Sequence, residues 1–370
     1  GKNLKGKEEV VSKFKNFLNP EQQQKLDSIM NKISKFGLAL LATCVSAATF
    51  SSCDDWVEPE NVDLNYDTAD KTDPVAYEEY LEALRDYRET DHKLVYVWFN
   101  NLGKGENINT RAQRVDELPD SIDVVVFTNP TSISDITVRD MENVREKKNM
   151  KFTYVIDFDA IKLAYLEHQA MSTEEEPFAV EFLDFLTDST ATALSYAKKN
   201  NFNGIMIGYN GKITNHMTPA EKTEYLANEK NFIGIMSDWH ARNPEMDIDF
   251  IGKPQNVGDK DLINDCNVLF LSESQSANSN YGFNMALANA SIEGVPADRI
   301  GMVTSYTDPN DDKIGYMADG SLCVSSLANW ASGENVKACA FTNIAYDYYN
   351  ATSPYQVVRK ALQTLNPSNL

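Results

Sequence analysis

From Tyr77 onward, short runs of apolar, often β-branched residues alternate with longer amphipathic segments. Eight short runs predict strands: Lys93–Phe99, Ile122–Thr128, Lys151–Asp157, Gly204–Asn210, Met246–Gly252, Cys266–Ser272, Ile300–Tyr306 and Ala338–Ile344. The longer segments carry apolar residues at three- and four-residue spacing and predict helices, among them Val138–Lys147, Ala179–Asn200, Pro219–Asn243 and Asn284–Glu293. Such alternation is typical of repeated βα units around a parallel sheet.

The number of these units predicts the fold. Eight strands with interleaved helices over residues 75–370 match a single-domain α/β protein with a (β/α)8 TIM barrel, which usually takes ~250 residues or somewhat more. An open, doubly wound sheet is the alternative. It is disfavoured because the loop Asn100–Glu106 after the first strand has Gly103 and Gly105 at the wrong spacing for a dinucleotide site and no Ser or Thr after Lys104.

The chain before residue 75 has the composition of an export signal and a tether. An apolar stretch from Phe36 to Phe50 is too short for the ~20 residues of a membrane span, follows Lys32 and Lys35, and ends in small residues before Cys53. This resembles a bacterial lipobox with Cys53 as the acylated residue. We therefore expect an upstream extension at 1–29, from an over-extended gene start or from cloning, a signal peptide at 30–53 and an acidic tether at 54–74. A buried helix that ends at an ordinary cysteine is the alternative.

Charge narrows the class of partner. The formal net charge is −21, and residues after position 53 hold 26 basic and 51 acidic side chains, which gives −25. Such a surface repels nucleic-acid phosphates and anionic lipid headgroups, so we expect no nucleic-acid partner and membrane contact through the lipid anchor only. The negative charge does not exclude neutral sugars or cationic molecules as ligands. The acidic run after Cys53 also resembles the surface-export signal of lipoproteins from glycan-foraging gut bacteria, which implies an outer-membrane, cell-surface location.

Cysteine and histidine contents predict neither a metal site nor a cofactor. Cys44 and Cys53 fall in the signal segment, and the remaining Cys266, Cys323 and Cys339 are too widely spaced for a zinc motif or a disulfide framework. Buried free thiols are the expected state. The four histidines are scattered through the chain and give little support to a histidine-based metal site or nucleophile.

Candidate binding residues lie where the predicted strands end, because barrel sites are built at the carboxyl ends of the strands. Amides, carboxylates and aromatic rings at a concave mouth suit sugar hydroxyls and sugar faces. Each such residue could also simply begin a polar loop. The candidates are Trp98, Asn100, Asn101, Asn129, Asp157, Asp159, Asn210, Glu273, Gln275, Tyr306, Asn343 and Tyr346.

The fourth strand carries a resemblance to a known family. The stretch Asn201–Gly211 resembles the signature strand of family 18 glycoside hydrolases, Phe-Asp-Gly-x-Asp-x-Asp-x-Glu. Its aromatic, glycine and apolar positions agree at Phe202, Gly204, Ile205, Ile207 and Tyr209. Its four acidic positions are instead Asn203, Met206, Gly208 and Asn210.

Other segments extend this resemblance over residues 75–365, nearest the endo-β-N-acetylglucosaminidase-like branch. Leu118–Asn129 is similar to the second strand of that family, Lys151–Asp159 to its third, and Asp347-Tyr-Tyr to its closing turn. In the family, the last signature residue is the general acid, and the carboxylate two positions earlier orients the N-acetyl group that acts as nucleophile. Asn210 and Gly208 cannot supply these groups, so the resemblance implies a pseudo-enzyme.

Three hypotheses follow. In the first, the barrel binds oligosaccharide, an N-glycan containing N-acetylglucosamine or mannose, without cleaving it, and passes it to a partner glycosidase and an outer-membrane importer. In the second, the chain is an active endo-glycosidase with relocated carboxylates among Asp157, Asp159 and Glu273. In the third, it is a structural surface protein that binds no glycan.

Overall fold

The computed structural model describes residues 69–174 and 176–367, and every structural statement below refers to them. The predicted extension at 1–29, the signal at 30–53 with Cys53, and the tether up to residue 68 lie outside the described residues. Within the described part of the chain, no helix is both long and apolar enough to cross a membrane.

A closed parallel barrel forms the centre of the fold. Each of the eight strands pairs with the next in parallel, and the last strand pairs with the first, so the barrel closes in sequence order. The predicted (β/α)8 fold is confirmed, and the open-sheet alternative is excluded because no strand edge remains unpaired. The strands are β1 (Leu94–Phe99), β2 (Val124–Phe127), β3 (Lys151–Asp157), β4 (Gly204–Tyr209), β5 (Asp247–Gly252), β6 (Leu269–Leu271), β7 (Ile300–Ser305) and β8 (Ala338–Thr342).

Helices surround the barrel, and several begin at residues that cap their first turn. Ser134 accepts a hydrogen bond from the Thr137 N–H at the start of the helix Asp135–Lys148, and Thr218 forms a capping box with Glu221 at the start of the helix Pro219–Arg242. The helices are α1 (Ala69–Thr72), α2 (Pro74–Arg88), α3 (Asp135–Lys148), α4 (Phe158–Met171), α5 (Phe182–Lys199), α6 (Pro219–Arg242), α7 (Lys260–Asp265), α8 (Asn280–Ala290), α9 (Cys323–Ser332) and α10 (Gln356–Leu365).

Alternation along the strands produces two apolar cores. Residues that face outward pack against the helices, and the outer core that they form with the helices also contains the buried thiols of Cys266, Cys323 and Cys339, which are free as expected. Residues that face inward fill the barrel lumen and form its floor beneath the mouth. This lumen cluster consists of Tyr96, Val124, Val126, Met206, Val268, Phe270, Val303, Ala338 and Ala340.

A charged network closes the opposite, amino-terminal end of the barrel. Asp123 is buried, forms an ion pair of 2.9 Å with Arg88, contacts His92 at 3.0 Å and accepts a 2.8 Å hydrogen bond from the Val95 N–H. The hydrogen bond to Asp123 raises the pKa of His92. This end is therefore built for stability, and the polar groups at the mouth are the ones available for a ligand.

Candidate functional site

Asn210 stands at the mouth just beyond β4, and both ends of its amide are hydrogen-bonded. Its Nδ2 donates to Asp159 Oδ2 at 3.1 Å, and its Oδ1 accepts from Ser272 Oγ at 2.7 Å. Its backbone oxygen accepts from Asn256 Nδ2 at 3.0 Å. Residues that follow β3 and β6 thus contact this half-buried side chain, and a residue that follows β5 contacts its backbone. The amide is held in one orientation across one side of the mouth.

Asp157 occupies the space that Gly208 leaves open. The two residues are register partners on β3 and β4. A Cβ placed on Gly208 would lie 2.4 Å from Asp157 Oδ2 and 3.0 Å from Asp157 Cβ. The other oxygen, Oδ1, caps α4 by accepting from the Ala160 N–H at 2.7 Å. A carboxylate from β3 therefore fills the position where a side chain of residue 208 would project.

The other two altered signature positions have packing roles. Met206 is fully buried in the lumen cluster, and its register partner on β5 is Asp249. Asn203 lies before β4, where its Oδ1 accepts from the Phe152 N–H at 2.9 Å. Neither side chain reaches the mouth, so a ligand there meets Asn210 and Asp157 rather than Asn203 or Met206.

Two lysines interact electrostatically with Asp159. Burial lowers the pKa of Lys162 on α4, with repulsion from Lys212 acting in the same direction and attraction to Asp159 opposing both. Burial also lowers the pKa of Lys212, again opposed by Asp159. Asp159 therefore lies within electrostatic range of both lysines and favours their charged forms, while burial disfavours them.

A buried network outside the barrel holds the loop that follows Asn210. Tyr209 points outward, and its hydroxyl donates to Glu229 Oε2 on α6 at 2.7 Å. Tyr225 donates to the same oxygen at 3.1 Å and accepts from the Lys212 N–H at 2.9 Å. Glu229 Oε1 accepts from the Gly258 N–H at 2.9 Å. The loops after β4 and β5 are therefore fixed to α6, and this fixes the backbone on either side of the mouth.

The aromatic candidates differ in their access to the mouth. Trp98 faces inward at the end of β1, half-buried on top of the lumen cluster. Tyr306 packs against the outer core, and burial together with hydrogen bonding to Asp347 raises its pKa. Tyr346 is exposed on the short helical segment Ile344–Tyr349 that follows β8. Trp98 and Tyr346 can present a ring face to a ligand, whereas Tyr306 is half-buried and its hydroxyl faces Asp347.

Among the candidates after β1 and β2, some side chains are accessible to solvent and one hydrogen-bonds to the loop backbone. Asn101 is buried, donates to the Asn129 carbonyl at 2.8 Å and accepts from the Asn129 N–H at 2.9 Å, so it ties the two loops together. Asn129 accepts from Thr131 Oγ1 through its own side chain. Asn100 is exposed at the rim. Of these three, Asn100 and the side chain of Asn129 are open to solvent, and Asn101 serves the loop backbone.

Glu273, Gln275 and Asn343 make no hydrogen bond to the Asn210 side chain in the described part of the chain. Glu273 forms a 3.0 Å ion pair with Lys253 and accepts from Asn289 on α8 at 3.1 Å. Gln275 is exposed in the same short helical turn, Ser272–Ser276. Asn343 has a φ of 58°, a conformation that asparagine tolerates better than most residues, and it begins the segment after β8. The structure therefore brings Asp157, Asp159 and Asn210 together and leaves Glu273 outside the cluster.

Ser272, Asn256 and the two lysines were not predicted from the sequence. Ser272 follows β6 directly, so its position at a strand end was an available signal. Asn256 lies three residues beyond Lys253 in a loop, and nothing in the sequence marks it as a partner of the Asn210 backbone.

The cluster can hold a ligand but lacks the acid of the family signature. Asn210 cannot donate a proton as a carboxylic acid does, and its amide already contacts a carboxylate and a hydroxyl. Asp157 and Asp159 are acceptors when ionised and suit the hydroxyl or N–H groups of a sugar. Among the described residues, no group of three or more His, Cys, Asp or Glu side chains is arranged to hold a metal ion.

Comparison with solved structures places this barrel beside known glycosidase folds. BT1044, in a selenomethionine form with one Glu replaced by Gln, aligns with a TM-score of 0.56 and 16% identity over 80% of this chain and 95% of its own. The endo-β-N-acetylglucosaminidase from Cordyceps militaris aligns with a TM-score of 0.53 and 12% identity, over 78% of this chain and 96% of its own. At these identities the likeness shows the fold alone. No curated protein matches the chain significantly in sequence.

Family membership rests on a sequence model that spans most of the chain. The model of glycoside hydrolase family 18, BT1044-like, matches residues 57–364, which include every strand of the barrel and the Asn210 cluster. The expected resemblance to family 18 is confirmed. The chain belongs to the BT1044-like group of glycoside hydrolase family 18.

Proposed function

We propose that this protein is a surface lipoprotein that binds oligosaccharide at the barrel mouth and does not hydrolyse it. One observation carries the proposal: Asn210, at the last signature position of its family, presents an amide fixed between Asp159 and Ser272. A fixed amide is a selective partner for sugar hydroxyls, and it cannot serve as a general acid. Loss of general acid catalysis alone typically costs about 10²- to 10⁴-fold in rate.

The glycan class is proposed from family membership and from a structural neighbour. The Cordyceps militaris enzyme has also been solved, as a double variant, in complex with fucosyl-N-acetylglucosamine-Asn. An N-glycan that contains N-acetylglucosamine or mannose is therefore the proposed ligand. Each amide-to-hydroxyl contact contributes only about 0.5–1.5 kcal/mol net, so a few such contacts predict a dissociation constant between about micromolar and millimolar.

An active endo-glycosidase is the second candidate, and one observation favours it. Asp157 brings a carboxylate into the space beside Gly208, and Asp159 contacts Asn210. These two residues would form the relocated catalytic pair. Glu273 is a weaker candidate than either of these residues because its carboxylate is already engaged by Lys253 and Asn289.

Location and partners are proposed from the sequence alone. A triacylated Cys53 would hold the protein at the outer membrane, and the acidic residues after it would act as a tether. A bound oligosaccharide would then be passed to a partner glycosidase and to an outer-membrane importer. A structural surface protein without glycan binding is the remaining alternative.

Binding and product analysis on the same ligands separate the three candidates. The purified full chain is titrated calorimetrically with chitobiose and with an oligomannose N-glycan, and each mixture is then analysed for new reducing ends. Saturable binding without new ends is expected. Cleavage that Asp157→Asn abolishes would establish the enzyme, and the absence of binding to both ligands would favour the structural alternative.

A further inference from the structure

Exposed tyrosines are concentrated on one side of the barrel mouth. Four of the five exposed tyrosines in the described residues follow β6, β7 or β8, which are neighbours in the barrel. Tyr281 is 71% exposed, Tyr316 44%, Tyr346 39% and Tyr349 61%. The fifth, Tyr80 on α2, contacts Asp120 in the loop before β2, at the amino-terminal end of the barrel. We name the group of four the tyrosine platform.

The loop that carries Tyr316 is braced on both sides of the ring. Gly315 has a φ of 86°, and a Cβ there would lie 2.5 Å from the Thr307 nitrogen, so the chain folds back tightly just before Tyr316. Met317, the next residue, is buried. The Ala318 N–H then donates to the Asn278 carbonyl at 2.8 Å, which joins this loop to the one after β6. The exposed ring therefore stands on a fixed backbone.

Tyr346 and Tyr349 are anchored by the fully buried Asp347 between them. Asp347 accepts from the Val358 N–H at 2.8 Å and from Asn350 Nδ2 at 3.2 Å. The Tyr349 hydroxyl donates to Thr110 Oγ1 at 3.0 Å, which connects the segment after β8 with the loop after β1. Rings presented on a fixed backbone lose little conformational entropy when a ligand stacks on them.

The charge of the surrounding loop selects the kind of ligand. Asp311, Asp312 and Asp319 are exposed on the same loop as Tyr316, with Lys313 as the one basic residue between β7 and α9. These carboxylates repel anionic groups. An aromatic surface flanked by acids fits an uncharged molecule with apolar faces and many hydroxyls, which describes a neutral oligosaccharide.

We propose that the tyrosine platform binds the outer sugars of a neutral oligosaccharide whose inner end occupies the mouth at Asn210. This inference rests on the proposed glycan-binding function and adds two properties to it. The ligand is an extended glycan that leaves the mouth over β6, β7 and β8, and affinity increases with the number of sugars that reach the tyrosines.

The test compares a short and an extended ligand on matched tyrosine variants of the full chain. Chitobiose and an oligomannose N-glycan are titrated into the parent, into the Tyr281→Ala/Tyr316→Ala double variant, and into Tyr80→Ala. Tyr80 is 46% exposed, which makes it a control for the loss of a similarly exposed ring at the other end of the barrel. The double variant should bind the oligomannose glycan about 10- to 100-fold more weakly, from about 3- to 10-fold per ring, and bind chitobiose within about twofold of the parent.

The possible outcomes distinguish failure of the tyrosine platform from failure of the proposed glycan-binding function. The platform is wrong if the double variant binds the oligomannose glycan as well as the parent or Tyr80→Ala does. It is also wrong if the double variant loses as much affinity for chitobiose as for the oligomannose glycan. In both cases the proposal that the protein binds glycan is unaffected. If the parent binds neither ligand, the proposed function itself fails. An oligomannose glycan that carries mannose-6-phosphate should bind more weakly than the unphosphorylated glycan at low salt, and equal or tighter binding would overturn the assignment to neutral glycans.

Discussion

Two asparagines at the ends of barrel strands show that the same amide group serves different roles at this mouth. Asn210 contacts Asp159 and Ser272 at the half-buried surface, whereas Asn101 is buried and binds the backbone of Asn129. Both were predicted as binding candidates because both follow a strand. Their hydrogen-bond partners distinguish the two roles. These partners depend on how strands that are distant in sequence align in the barrel, which the sequence does not show.

Substitution of these two residues should have opposite consequences. Asn210→Ala should weaken glycan binding several-fold and lower the free energy of unfolding by about 1 kcal/mol or less, because solvent replaces the lost partners. Asn101→Ala should lower it by about 1–3 kcal/mol, because buried backbone groups lose their hydrogen bonds. Urea unfolding and calorimetric titration of both variants check this. An Asn210→Ala protein with parental affinity for every glycan tested would place the site elsewhere.

Asp249 beneath the mouth gives the fold a pH dependence. Burial raises its pKa from 3.8 to about 7, while hydrogen bonds from Tyr96, at 3.1 Å, and from the Val268 N–H oppose that rise. The folded protein therefore retains a proton that the unfolded chain releases. The stabilisation is complete below about pH 4 and is lost as the pH rises from about 4 to about 7.

The Asp249→Asn variant should be free of this dependence. Its free energy of unfolding should match that of the parent near pH 4 and exceed it by up to roughly 4 kcal/mol above pH 7, since one pKa unit corresponds to about 1.4 kcal/mol. Urea unfolding of both proteins from pH 4 to pH 8 measures the difference. A difference that does not change with pH would show that Asp249 is not protonated in the folded state.

At the scale of elements, the contact between β3 and β4 decides which strand supplies the carboxylate at the mouth. Gly208→Ala should cost about 1–3 kcal/mol of stability, because the new Cβ would meet Asp157 at 2.4–3.0 Å. Adding Asp157→Gly should recover most of that loss. Gly234→Ala is the control, since nothing lies within 4 Å of a Cβ there. Additive costs of the two substitutions in a double-mutant cycle would contradict the packing of Asp157 into the place of residue 208.

The strands and long helices were predictable because hydrophobic periodicity is a local property. Predicted strand ends differ from the observed ones by up to two residues for most strands and by three at the start of β6, where the run from Cys266 predicted more strand than forms. Helix Pro219–Arg242 was predicted to within one residue, helped by its capping box. By contrast, the filling of the Gly208 space by Asp157 and the pairing of Glu273 with Lys253 depend on side chains from different βα units, which periodicity does not reveal.

At the scale of the whole molecule, anchoring is separable from binding. Cys53→Ser should release the protein from the outer-membrane fraction into a soluble pool, because the proposed acyl chains would supply its attachment. Its glycan affinity should be unchanged, since the barrel does not depend on the anchor. Fractionation of cells that express the parent and the variant checks this. Unchanged membrane association would refute the lipoprotein assignment while leaving the barrel site intact.

The proposed function requires that the barrel binds a glycan and leaves it uncleaved. Equilibrium dialysis of the purified full chain against an oligomannose N-glycan, followed by mass spectrometry of the glycan on both sides of the membrane, tests it most directly. We expect enrichment of intact glycan on the protein side, reduced several-fold by Asn210→Ala. Equal glycan concentrations on both sides, or cleaved glycan on the protein side, would contradict it.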